Sequence, residues 1–150
     1  MKYSEAKQGR IFILRLEQGD IIPETLEDFA YRQKIDSALV FFLGGAEQGS
    51  KVITGPEAGT EKNPVPNLTF LEGVSEAVGV GTIFLSAEGN PSLHLHSAFG
   101  RQEQTVTGCT RKGVEIWNIG EVIIMEILDS QATRKIDPET GFELLHVEES

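Results

Sequence analysis

A single cysteine, Cys109, stands among 150 residues, so no intrachain disulfide can form, in keeping with a reducing compartment. Basic residues are scarce as well. Only 13 Lys and Arg face 23 Asp and Glu, for a net charge of −10. Nucleic-acid binding draws much of its affinity from cations that neutralise phosphates and release counterions. Here the adjacent basic residues amount to two pairs, Arg111–Lys112 and Arg134–Lys135, so no run of basic residues offers the segregated patch that gripping phosphates needs. The same acidity suits divalent cations. Long apolar runs are missing too: "SALVFFLGGA" is the longest candidate and falls far short of the ~18 residues of a membrane span. The opening "MKYSEAKQGR" has no apolar core of a signal peptide, so a cytoplasmic location is expected.

What is present describes one ordinary globular domain. Hydrophobic residues make up 39% and charged residues 24%, and the length suits a single core. No internal repeat or low-complexity stretch divides residues 1–150. "GRIFILRLEQGD" predicts a buried strand with its apolar run at Ile11–Leu14, closed by Gly19–Asp20. "IPETLEDFAYRQKI" predicts a helix, with Pro23 in the first turn and Glu24, Glu27 and Asp28 complementing the N-terminal dipole. Leu26, Phe29, Ala30 and Ile35 then share one face. "SALVFFLGGA" predicts a central strand that breaks at Gly44–Gly45, where the chain turns or approaches something closely. From Lys51 onward the pattern is β with turns, and 51–67 loosens into a Gly/Pro loop. "EVIIMEIL" predicts an inner or subunit-facing strand, and "IDPETG" a turn into "FELLHV". Trp117 and the phenylalanines are expected in the core. The expected class is α+β: one domain, a mostly antiparallel sheet of about seven strands, and one or two helices.

Histidine is the scarce residue whose placement carries most. Two of the three lie in "PSLHLHSAFG" as His94 and His96. On a strand they share a face, their Cα atoms roughly 6.5 Å apart, and can converge on one ion. If "SLHLHSAF" and "TVTGCT" pair across the "GRQEQ" turn, Cys109 returns near their level. A His-His-Cys set is a sensible zinc site, because the ion deprotonates a coordinating thiol. His146, Glu72 and Glu76 are weaker candidates for a further ligand. An H-x-H on a strand is also often just two half-buried polar side chains in satisfied hydrogen bonds, and a lone cysteine a small buried hydrophobe. Nucleophilic catalysis by Cys109 with a histidine base is a remoter alternative. Gly79 and Gly81 form a G-x-G, but strand residues follow rather than a helix, so a close-packing role fits better than a dinucleotide fingerprint.

The series "RLEQGD", the strand ending in Gly44–Gly45, "LHLHSAFGR" and "TVTGCTRKG" resembles the plants-and-prokaryotes-conserved (PPC) domain over about residues 10–128, leaving 129–150 as a C-terminal extension. The resemblance implies an α+β sheet domain assembling as a homotrimer, with a fold similar to acetolactate decarboxylase. Bacterial members bear a DNA-binding label by analogy with plant relatives. The plant AT-hook is missing here, and with the charge of −10 this argues against direct DNA contact. Many bacterial members carry an H-x-H with a third histidine in a Gly-Gly-His turn, and "TGC" aligns Cys109 with that histidine. The resemblance therefore implies a zinc or similar divalent metal at His94, His96 and Cys109. The leading expectation is a non-enzymatic or regulatory trimeric protein, of the regulatory or DNA-binding type its family label carries, with that centre. The alternative is a metal-dependent, decarboxylase-like lyase acting on a small carboxylate.

Overall fold

Residues 1–56 and 65–148 are described by this computed structural model; the Gly/Pro loop expected after Lys51 falls largely outside them. In chain order the elements are β1 (Lys7–Glu17), β2 (Ile21–Ile22), α1 (Glu24–Gln33), β3 (Ser37–Ala46), β4 (Lys51–Pro56) and β5 (Pro66–Phe70). They continue with β6 (Ser75–Leu85), β7 (Pro91–Arg101), β8 (Gln104–Cys109), β9 (Val114–Leu128), β10 (Thr133–Ile136) and β11 (Glu143–His146). One antiparallel sheet runs β1-β9-β3-β6-β7-β8-β4-β5, with β2 added on β9, while β10 and β11 form a separate hairpin. The α+β class is as expected, but the described residues form eleven strands rather than about seven. The excess comes from pieces such as the two-residue β2 and the four-residue β10 and β11, which are too short to carry a period.

The helix forms where its punctuation places it. Glu24 and Glu27 occupy the first turn, where negative charge suits the positive end of the helix dipole. The chain leaves at Lys34 in the left-handed region (φ 55°), and Ile35 N donates to Ala30 O at 2.9 Å. This closure turns Ile35 inward, so Leu26, Ala30 and Ile35 are fully buried. Burying a side chain such as Leu26 contributes about 1.5–3 kcal/mol. No second helix appears among the described residues.

Two expectations about the core need correction. β1 is buried on one face only: Leu16 points inward, while Ile11 and Ile13 are 54% and 86% exposed. Its apolar run reflects two apolar faces rather than two buried ones. Trp117, Phe41 and Phe70 are likewise exposed, whereas Phe42 and Phe99 lie in the core. Nor does β3 break at Gly44–Gly45. It continues to Ala46 through a bulge against β9, and a Cβ on Gly45 would lie 2.8 Å from Trp117 Cε3.

The outward face has its own order. Ile13 pairs with Ile123, Ile123 with Phe41, Phe41 with Val80, and Val80 with His96. An apolar stripe therefore crosses β1, β9, β3 and β6 and ends at a histidine. With Leu43 and Val78 it lines a concavity of about 510 Å³. The G-x-G lies on β6 beside the histidine strand. A Cβ on Gly81 would lie 2.6 Å from His94 O, and one on Gly79 only 2.1 Å from Ser97 Oγ. Both glycines let β7 approach.

Candidate metal centre

A two-residue turn sets the register that builds the site. Arg101 pairs with Gln104 around Gln102, which takes a left-handed φ of 54°. Counting back along both strands from that turn, Cys109 falls directly opposite His96, and Ile53 of β4 lies opposite Cys109 on the other side. On the β6 side His94 faces Thr82 and His96 faces Val80. The expected convergence is therefore present: the ligand atoms of His94, His96 and Cys109 all lie within 4.8 Å of one another.

The two imidazoles meet through their Nε2 atoms at 3.0 Å, with ring planes 81° apart. With Zn–N bonds of about 2.05 Å that separation subtends roughly 94° at an ion, and a tetrahedral angle needs about 3.35 Å. Side-chain rotation of a few tenths of an ångström supplies the difference, and drawing the sulfur in completes a three-donor face. The donor set fits a zinc-like ion, borderline in softness and tolerant of mixed N/S ligation. No fourth His, Cys, Asp or Glu joins the group among the described residues. His146 sits on β11 opposite Thr133. Glu76 pairs with Gly100, four residues along β6 from Val80, roughly 13 Å at the strand rise. Glu72 lies in the turn beyond it.

Burial pulls both histidines below the ordinary imidazole value. The positive charges of Arg134 and Arg111 add to this at His94, and those of His94 and Arg111 at His96. All these causes favour the neutral ring, the form with a lone pair to give. Cys109 is 3% exposed, and Arg111 Nε donates to its Sγ at 3.1 Å.

Beside His94 opens a cavity of about 230 Å³, lined also by Glu27, Ser92, Arg111, Arg134 and Glu143. Leu93 N donates to Glu27 Oε1 at 2.8 Å, and Ser92 Oγ donates to Glu143 Oε2 at 3.0 Å. Burial raises the Glu27 carboxyl above the usual range, while the Leu93 N–H opposes the shift. Sequence reasoning missed this wall. Glu27 was legible as a helix-terminus acid, and Arg111 as half of a basic pair near Cys109. Arg134 was legible only as half of the other basic pair, because its inward position depends on how a terminal hairpin packs.

The model of the Plants and Prokaryotes Conserved (PCC) domain, the family abbreviated PPC above, matches residues 3–128. A plant- and prokaryote-conserved (PPC) protein from Pyrococcus horikoshii superposes with a TM-score of 0.85 at 21% identity, over 100% of both chains. A metal-containing protein from Archaeoglobus fulgidus gives 0.84 at 21% identity, over 97% of this chain and 99% of that one. A protein from Ralstonia eutropha JMP134, provisionally named DNA-binding, gives 0.69 at 23% identity, over 91% and 90%. At such identities these likenesses show the fold alone. A curated relative, the bifunctional protein GlmU of Synechococcus sp. (strain JA-3-3Ab), is 28% identical over 141 residues; they are 93% of this chain but 21% of that protein, so the chain spans about a fifth of its relative. With the family model covering most of its length, the chain belongs to the Plants and Prokaryotes Conserved domain family.

Proposed function

We propose that this protein is a regulatory PPC-type homotrimer in which each copy holds a zinc-like divalent ion on His94, His96 and Cys109. The observation that carries the reading is the 3.0 Å approach of the two Nε2 atoms, with Cys109 Sγ inside the same 4.8 Å group. The neutral imidazoles and the thiolate supply the ion's protein ligands and leave one position for water or a small anion. The fold likeness to a protein described as metal-containing supports the same assignment. Elemental analysis of the purified chain tests it, with the His94→Ala/His96→Ala double variant as control. About one zinc per chain in the wild type and none in the variant is the expected result; equal, negligible metal in both refutes it.

The homotrimer rests on the apolar stripe through Ile13, Ile123, Phe41 and Val80, whose members are 42–86% exposed in the single chain. Contiguous apolar surface of this kind marks an interaction site, and neighbouring copies around a three-fold axis would cover it. Direct DNA contact is the weaker part of the family label. A regulatory role through a partner protein fits the net charge of −10 better, and an electrophoretic shift assay over a salt series separates the two.

A second reading is favoured by the cavity beside His94 and by the half-buried Glu27 in its wall. These are the parts of a metal-dependent lyase for a small carboxylate. The ion would supply Lewis-acid polarisation of a substrate oxygen, and Glu27 would hold or release a proton at its carboxyl oxygen.

A further inference from the structure

β10 lies beyond the residues matched to the family, yet it carries Arg134 inward to 3% exposure. The guanidinium is held by neutral groups. Its Nη2 donates to Thr82 O at 3.1 Å and to Thr82 Oγ1 at 3.0 Å, and its Nε to Ser92 O at 3.3 Å. Its carbon stands 5.7 Å from the centre of the Phe84 ring. The ion pairs among the described residues all involve other side chains, and there Nη1 makes no hydrogen bond. Among the described residues no carboxylate reaches it within ion-pair distance, Glu143 and Glu27 acting on it only through space, and burying a guanidinium without a directly bonded counter-charge is costly. This one borders the cavity that Arg111 and His94 share.

We propose that this cavity is a binding site for a small monocarboxylate, anchored by Arg134 with Arg111. A volume near 230 Å³ admits an acid of a few carbons. The planar guanidinium fork matches a carboxylate. Glu27 and Glu143 already balance the two arginines, so a doubly charged phosphate brings more negative charge than the wall can offset. The site goes beyond the metal reading and stands without the ion, since its anchor is an arginine on the terminal hairpin.

The test is a titration of the full chain with propanoate and with inorganic phosphate, in low-chloride buffer at pH 7. It is followed by amide shifts in NMR spectra and run on both chelator-stripped and zinc-loaded protein. Saturable propanoate binding in both forms, tighter than phosphate, is expected. Arg134→Gln should weaken it about tenfold or more, because a hydrogen bond to a charged partner is lost. Arg134 also ties the hairpin to β6 and β7, so Glu143→Gln provides the second arm. It removes a negative charge while keeping an acceptor for Ser92 Oγ, and should strengthen propanoate binding several-fold. Absence of saturable binding in the stripped protein, phosphate binding tighter than propanoate, or a Glu143→Gln variant that binds no better would each overturn the site. A chain that binds propanoate but no zinc would refute only the metal centre.

Discussion

Substituting Gly81 by alanine tests how closely β6 must approach the histidine strand. The added Cβ would lie 2.6 Å from His94 O, 2.6 Å from Leu95 Cβ and 2.7 Å from Leu95 Cα. Ordinary contact begins near 3.4 Å, so the clash amounts to roughly 0.8 Å against backbone and the root of a buried side chain, neither of which can swing aside. Overpacking of this kind costs about 1–3 kcal/mol. The loss of glycine freedom in the unfolded chain returns only about 0.4–1 kcal/mol, so the clash wins. At about 2.1 cal/mol/K of unfolding entropy per residue, a chain of 150 residues loses about 3 °C of Tm per kcal/mol. Calorimetric melting of Gly81→Ala should therefore fall by several degrees. The displaced His94 carbonyl carries its imidazole with it, so zinc affinity should drop in the same variant. Gly100→Ala is the matched control, because its Cβ would meet only Glu76 O at 3.9 Å; it should melt at or slightly above the wild type. A Gly81→Ala protein that melts within a degree of wild type, with unchanged zinc affinity, would refute the claim that this spacing seats the site.

Zinc added at about 100 times its Kd should stabilise the wild type by about 2.7 kcal/mol, read as a rise in Tm that the His94→Ala/His96→Ala variant does not show. Acid should weaken the tie between β1 and β9. Glu126 is 6% exposed and takes hydrogen bonds from Arg10 Nε at 2.7 Å and Nη2 at 2.6 Å, which hold its carboxyl below the usual range, the Arg10 side chain being the main cause. A depressed folded value means stability that is present above about pH 4.5, the ordinary carboxyl value, and lost as pH falls through the folded one; urea melts at pH 7 and pH 4 should show the loss, and Glu126→Gln should reduce it. If the proposed trimer closes over the exposed stripe, Phe41→Asp in its middle should sediment as a monomer where the wild type sediments as a trimer, with the secondary structure by circular dichroism unchanged.

The features legible in the sequence were those set by local rules. Glu24 and Glu27 announce the helix start, and the alternation about Leu95 puts His94 and His96 on one side of a strand. The short "GRQEQ" connection even located Cys109, because a tight hairpin fixes register. The features that were not legible depend on what packs against what. Ile11 and Ile13 look like core residues because hydrophobicity does not distinguish a face covered by this chain from one left open. Trp117 looks like core for the same reason, although it lies over Gly45 with much of its ring exposed. Arg134 looked like half of a surface basic pair, and only the folding back of the β10–β11 hairpin takes it inside.

The turn at Gln102–Glu103 determines more than a loop shape. His96 and Cys109 are opposite one another only because the number of residues between them suits that turn. One residue inserted there would rotate the returning strand by half a period and send the sulfur to the opposite side of the sheet, with all three candidate donors still in the chain. Ancestry could thus create or erase the centre by a single indel. In any relative, the length of the segment joining the two strands is as diagnostic as the identity of the three donors.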